Sequence, residues 1–99
     1  MDEIIELSEV FKAFSDPTRL RLVKLLSDHR GALCVNALAD RLNVSQSAVS
    51  QHLRVLRQAG LVRSDRHGST VHYSLNQNRL EQHNATLLET LGEVFVARQ

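Results

Sequence analysis

Ninety-nine residues suffice for one compact domain and exclude a two-domain enzyme. An apolar fraction of 42%, sixteen leucines, one proline and no tryptophan lean towards a folded, helix-rich chain and against disorder, although so small a core gains from a partner subunit. The net charge of +1 is silent about nucleic acid, but its distribution is not: residues 1–16 carry five anions and one cation, whereas residues 41–72 carry Arg41, Arg54, Arg57, Arg63 and Arg66 against only Asp65.

Ile4, Leu7, Phe11 and Phe14 recur at helical spacing between Glu3, Glu6, Glu9 and Lys12, which predicts an amphipathic first helix over 3–14. Asp16-Pro17-Thr18 then supplies an N-cap and a proline at the first helical position. The second helix carries Leu22, Leu25 and Leu26 on one face, runs to about Asp28 and stops at Gly31. Ala32-Leu33-Cys34-Val35 is too brief for a helix and reads as an isolated strand or an extended lead into the next element. Ala37, Leu38 and Leu42 pattern a two-turn helix over 36–42. After a short break, Ser45 caps a further helix that meets no Gly or Pro before Gly60. Two short helices about a tight turn outline a helix-turn-helix.

Beyond Gly60 the period changes to two. Val62 to Arg66, then His67-Gly68-Ser69, then Thr70 to Leu75 predict a β-hairpin with glycine at its tip, Val71, Tyr73 and Leu75 on the packed face and Thr70, His72 and Ser74 on the other. A last helix over 79–97 places Leu80, Leu87, Leu91, Val94 and Phe95 near one stripe. The predicted fold class is therefore mainly α with a small β-hairpin, in the order α-α-(short strand)-α-α-β-β-α, as a single domain spanning 1–99.

The helix after Ser45 is the informative one. At 100° per residue from Val49, Leu53 and Leu56 fall within about 40° of it and form an inward stripe. Ser47, Gln51, Arg54 and Gln58 lie at about 140–200°, on the opposite side. Ser, Gln and Arg can donate to and accept from base edges and phosphates, and the face holds no acid to repel DNA. A solvated helix face is the plainer reading of such a stripe, but the short helix, the turn and the capped start all agree with a recognition helix. In such a unit the N-terminal half enters the major groove, which nominates Gln46, Ser47, Ser50 and Gln51 as base readers and Arg54 and Arg57 as phosphate contacts. The hairpin adds Arg63, Arg66 and the glycine tip at Gly68, a composition suited to an arm lying along the backbone or in the minor groove.

These segments resemble the ArsR/SmtB family of winged-helix transcriptional repressors. The likeness runs from Phe11 through Leu75 and is carried by Phe14-Ser15-Asp16-Pro17-Thr18-Arg19-Leu20-Arg21-Leu22, by Leu38-Ala39-Asp40-Arg41-Leu42, by the block from Ser45-Gln46-Ser47 to Ala59-Gly60-Leu61-Val62, and by Arg66-His67-Gly68-Ser69 with His72-Tyr73. The resemblance implies a homodimer formed by the first and last helices, a wing, and repression released by an inducer. A dimer would set two recognition helices about 34 Å apart on a near-palindromic duplex operator.

Many members of that family bind metals, one site opening with Cys-Val-Cys; this chain has Cys34-Val35-Asn36, and one thiolate cannot build a multi-sulfur site. The positions matching the family's last-helix site are Gln77, Arg79, Thr90 and Glu93, of which only Glu93 is a plausible ligand. No cofactor or standard metal site is expected; an unusual sensor would have to draw on Cys34, His83, Glu89 or Glu93 across a dimer. Cys34 is the only cysteine, which excludes an intrachain disulfide and fits a reducing compartment. The acidic N-terminus lacks a signal peptide's basic region and no apolar run approaches the ~18 residues of a membrane span, so a cytoplasmic chain without a membrane partner is expected. Three classes follow: an inducer-released DNA-binding repressor, a metal- or thiol-responsive repressor with a non-standard site, and a winged-helix protein-interaction module. Catalysis is the least favoured, since Ser, His and acidic residues are scattered over elements assigned to core or DNA.

Overall fold

The computed structural model describes residues 2–95, with side chains described through Gly92. The chain runs α1 (Glu3–Phe14), α2 (Pro17–His29), β1 (Leu33–Cys34), α3 (Val35–Leu42), α4 (Gln46–Gln58), β2 (Val62–His67), β3 (Thr70–Leu75) and α5 (Gln77–Phe95). Among the described residues no helix is long and apolar enough to cross a membrane.

Local chemistry sets most boundaries. Asp2 caps α1 by accepting from the Ile4 N–H at 2.7 Å, Asp16 caps α2 by accepting from the Arg19 N–H at 3.1 Å, and Pro17 follows at the first helical position. Two helices end on paired return bonds with a left-handed residue. Asn43 (φ 55°) closes α3, with Val44 N–H reaching the Ala39 carbonyl at 3.1 Å, and Gly60 (φ 77°) closes α4, with Leu61 N–H reaching the Leu56 carbonyl at 2.9 Å. The core joins Leu22, Leu26, Leu33, Leu38, Val49, Leu53, Leu56, Leu61 and Val62, so α3 and α4 are both anchored on the same apolar body.

The structure differs from the sequence reading in four places. The left-handed residue after α2 is Arg30 (φ 58°), not Gly31; burying Leu33 fixes where the chain must turn, and that packing overrides glycine's preference. The short strand is not isolated: Leu33 pairs with Tyr73 and Cys34 with His72, so the expected hairpin is part of a three-stranded antiparallel sheet, ordered β1-β3-β2. Because β3 is the central strand, Val71 through Leu75 are all half-buried, so of the expected wet face Thr70 is exposed but His72 and Ser74 are not; His72 Nδ1 is buried with no hydrogen-bond partner among the described residues. Finally, α5 starts at Gln77 rather than 79, with the Asn76 side chain accepting from the Arg79 N–H at 3.3 Å. Residues 96 and 97 of the expected last helix, and the side chains of Val94 and Phe95 in its stripe, lie outside the described residues.

Candidate nucleic-acid interface

Helix α4 stands as its periodicity requires. Val49, Leu53 and Leu56 have no exposed surface, whereas Gln46, Ser47, Ser50, Gln51, Arg54, Arg57 and Gln58 are all exposed. Ser45 secures the start of α4 by accepting from the Ala48 N–H at 3.1 Å, which orders the first turn where Gln46 and Ser47 stand. No acidic residue occurs anywhere in α4. Arg54 makes no hydrogen bond or ion pair among the described residues, leaving its guanidinium free for an anion. Arg57 is engaged instead: its Nη1 donates to Ser64 Oγ of β2 at 3.1 Å, bracing the wing against the helix. Between the two lies a cleft of about 340 Å³ lined by Ser50, Leu53, Arg54, Arg57, Gln58 and Tyr73, its rim largely of hydrogen-bond donors.

The Ser64 contact also orients the wing. Alternation along β2 puts Val62, Ser64 and Arg66 on the face that looks towards α4, and Arg63, Asp65 and His67 on the other. The two wing arginines thus point to opposite sides of the ribbon, and only Arg66 extends the basic surface of the recognition helix. At the tip, Gly68 takes φ 65° in a two-residue turn between His67 and Thr70, and a side chain there would meet nothing within 4 Å. The tip is free to approach a surface closely.

Within one chain, Cys34 and His83 stand on separate elements. Cys34 is half-buried at the β1–α3 joint, lining a shallow cleft with Val35, Asn36, Ser69, Thr70 and Val71. His83 lies on α5 beside Leu7, Val10, Phe11 and Leu87, in the groove between α1 and α5. The Glu93 side chain lies outside the described residues. Among the described residues no group of three or more His, Cys, Asp or Glu is arranged to hold a metal ion.

One cluster escaped the sequence reading. Arg19, at the start of α2, donates from Nε to the Ala13 carbonyl at 2.6 Å and from Nη2 to the Lys12 carbonyl at 3.4 Å, capping the last turn of α1. Its Nη1 lies 3.3 Å from His52 Nδ1 on α4, and the same Nδ1 is 3.9 Å from Asp16 Oδ2. The hydrogen bond from the Arg19 backbone N–H, aided by the charge of the Arg19 guanidinium, holds the Asp16 carboxyl below its ordinary value of 3.8. A depressed carboxylate stabilises the fold fully above its unfolded value and loses that contribution as pH falls through the lower folded value. Wild type is therefore expected to lose stability below pH 3.8 more steeply than Asp16→Asn, whose amide still caps but does not titrate. Parallel acid-unfolding curves, with no difference in slope, would contradict this.

A capped helix pair with an exposed Ser/Gln/Arg face, backed by a β-ribbon, defines a winged helix-turn-helix, and the chain is a DNA-binding transcriptional regulator of that class. Residues 16–64 match the model of the family described as bacterial regulatory protein, arsR family. An uncharacterised HTH-type transcriptional regulator of Methanocaldococcus jannaschii is 37% identical over 82 residues, covering 83% of this chain and 91% of its own length. A transcriptional repressor SmtB homolog of Synechocystis is 45% identical over 80 residues, covering 81% of this chain and 59% of its own. Among solved structures, an ArsR-like transcriptional regulator from Rhodococcus superposes with a TM-score of 0.79 at 34% identity, covering 91% of this chain and 83% of the other. The chain belongs to the ArsR family.

Proposed function

We propose that the chain acts in the cytoplasm as a homodimeric repressor that reads a near-palindromic operator and leaves it when an inducer binds. The observation that carries the reading is the split of α4, with Val49, Leu53 and Leu56 sealed against the body and Gln51 and Arg54 turned outward. The naming of the Synechocystis relative as a repressor supports repression. Dimerisation through α1 and α5 is supported by the side chains α1 leaves in solvent: Ile4 and Ile5 are each 54% exposed and Phe11 42%. Two α4 helices related by a two-fold axis would meet major grooves about 34 Å apart.

In this arrangement Gln46, Ser47, Ser50 and Gln51 address base edges, while Arg54 holds phosphate and Arg66 with the Gly68 tip follows the backbone; Arg57 braces the wing through Ser64, and Arg63, on the ribbon's other face, stays outside this contact. The test is selection of bound duplex from random DNA, followed by titration of two variants. Arg54→Ala is expected to weaken binding to every sequence and to lower the slope of log affinity against log salt by about one. Gln51→Ala should instead change which base is preferred at one position, at about 1–3 kcal/mol for a lost bidentate contact. Equal losses on all sequences for both variants would contradict this division of labour. A chain that selects no duplex, and whose DNA affinity ignores salt, would instead be a protein-interaction module.

A further inference from the structure

The bond between Arg19 and His52 spans 33 residues and is the longest-range side-chain hydrogen bond among the described residues. We propose that it is a latch that fixes the roll of α4 relative to α1, and that Arg19 and His52 are positioning residues for operator discrimination. The inference rests on the DNA-binding reading above.

Arginine offers only donors, so His52 Nδ1 must accept and the ring proton sits on Nε2. On the helix wheel His52 falls about 60° from Val49, flanking the buried stripe rather than sharing the outward face of Gln51 and Arg54. It therefore acts on DNA only through the helix that bears it. Val49, Leu53 and Leu56 hold α4 by apolar contact, which is non-directional. A directed bond on the flank is what separates one roll of the helix from another a few degrees away. With side-chain tips about 5–6 Å from the axis, a roll of about 10° carries the Gln51 amide about 1 Å. That exceeds the roughly 0.5 Å within which a positioned polar group must be held.

The other end of the latch is equally specific. Arg19 grips the Lys12 and Ala13 carbonyls at the last turn of α1, the helix proposed to carry the dimer contact. One guanidinium thus touches the element that sets the spacing between subunits and the element that reads bases. Asp16, capping α2 beside it, keeps the Arg19 backbone in register. The Arg19 bond to His52 ties the dimerisation helix to the recognition helix through a single side chain.

The test uses the full chain, a duplex selected from random DNA by the wild-type protein, and a scrambled duplex of the same composition. His52→Leu removes the acceptor; His52→Asn places an amide oxygen where Nδ1 stands; Arg19→Met removes the donors from the other side. His52→Leu and Arg19→Met are each expected to lower the ratio of selected to scrambled affinity about tenfold, the size of one charge-assisted hydrogen bond. Dimer mass and salt slope should stay unchanged, and the Leu/Met double variant should lose no more than Arg19→Met alone. His52→Asn should keep most of the ratio. An undiminished ratio in His52→Leu and Arg19→Met overturns the latch, as does an equal loss in His52→Leu and His52→Asn, which would mark ring packing rather than the bond. A purely structural role would lower melting temperature and both affinities together, leaving the ratio intact, and would also overturn it. If the wild-type chain selects no duplex, the DNA-binding reading itself fails and takes the latch with it; a wild type that selects, beside variants that discriminate equally well, removes the latch alone.

Discussion

Leu53→Ala is expected to cost about 2–5 kcal/mol of folding free energy, the range for a buried leucine cut back to alanine. Leu53 has no exposed surface and stands mid-helix in α4 between Val49 and Leu56, inside the cluster that also holds Leu22, Leu38 and Leu61. Those neighbours come from α2, α3 and the loop after α4, so the space left cannot close by the movement of one side chain. A domain of this size holds only about 5–15 kcal/mol in total, and its melting temperature should fall by about 4–8 °C for each kcal/mol lost. The loss should appear in DNA binding as well, because the same side chain that stabilises the body holds the recognition helix on it. Ser47→Ala, on the exposed side of the same helix, should leave the melt within about 0.5 kcal/mol of wild type. Denaturant melts of the two variants give the comparison, and similar midpoints would show that α4 is not anchored by its leucine face.

The second large effect concerns assembly. In α1, Leu7, Val10 and Ala13 are buried within the chain while Ile4, Ile5 and Phe11 remain in solvent. A double Ile4→Glu/Phe11→Glu substitution spares the inward set and adds two charges to the outward one. The variant is expected to keep its helical circular dichroism, to sediment as a monomer, and to bind the operator about 10²–10⁴-fold more weakly. That is the factor gained when a second half-site is engaged by a tethered copy rather than by a free one. A variant that still sediments as a dimer would place the subunit contact elsewhere, and a monomer that binds as tightly as wild type would show that the operator is not held by two tethered copies.

Much of this architecture was legible because it is local. The 3.6-residue spacing of Val49, Leu53 and Leu56 identifies the inner side of α4, and Ser45 and Gly60 mark its ends through capping chemistry that depends only on neighbouring residues. The pairings that cross the chain were not legible. Leu33 and Tyr73 are both apolar residues in extended segments, but nothing in either segment names the other as its partner, and so β1 could not be joined to the wing. The same limit hid the contact between Arg19 and His52, since a single bond between two helices leaves no period in the sequence. The left-handed turn at Arg30 rather than Gly31 follows from the demand to bury Leu33, which outweighs a local preference of about 1 kcal/mol. In the interface, Arg63 and Arg66 were grouped by composition, and only the Ser64 contact shows that they point to opposite sides.

The two residues of β1 end where α3 begins, with none between: Cys34 pairs with His72 and Val35 is already helical. The base of the wing and the leading helix of the DNA-reading pair are consequently one rigid bracket. Any bending of the ribbon is confined to its outer rungs, Arg66 to Val71, where β3 has lost its second neighbour. In the proposed complex that short free end would be the part that adjusts to groove width, with the bracket behind it already in shape.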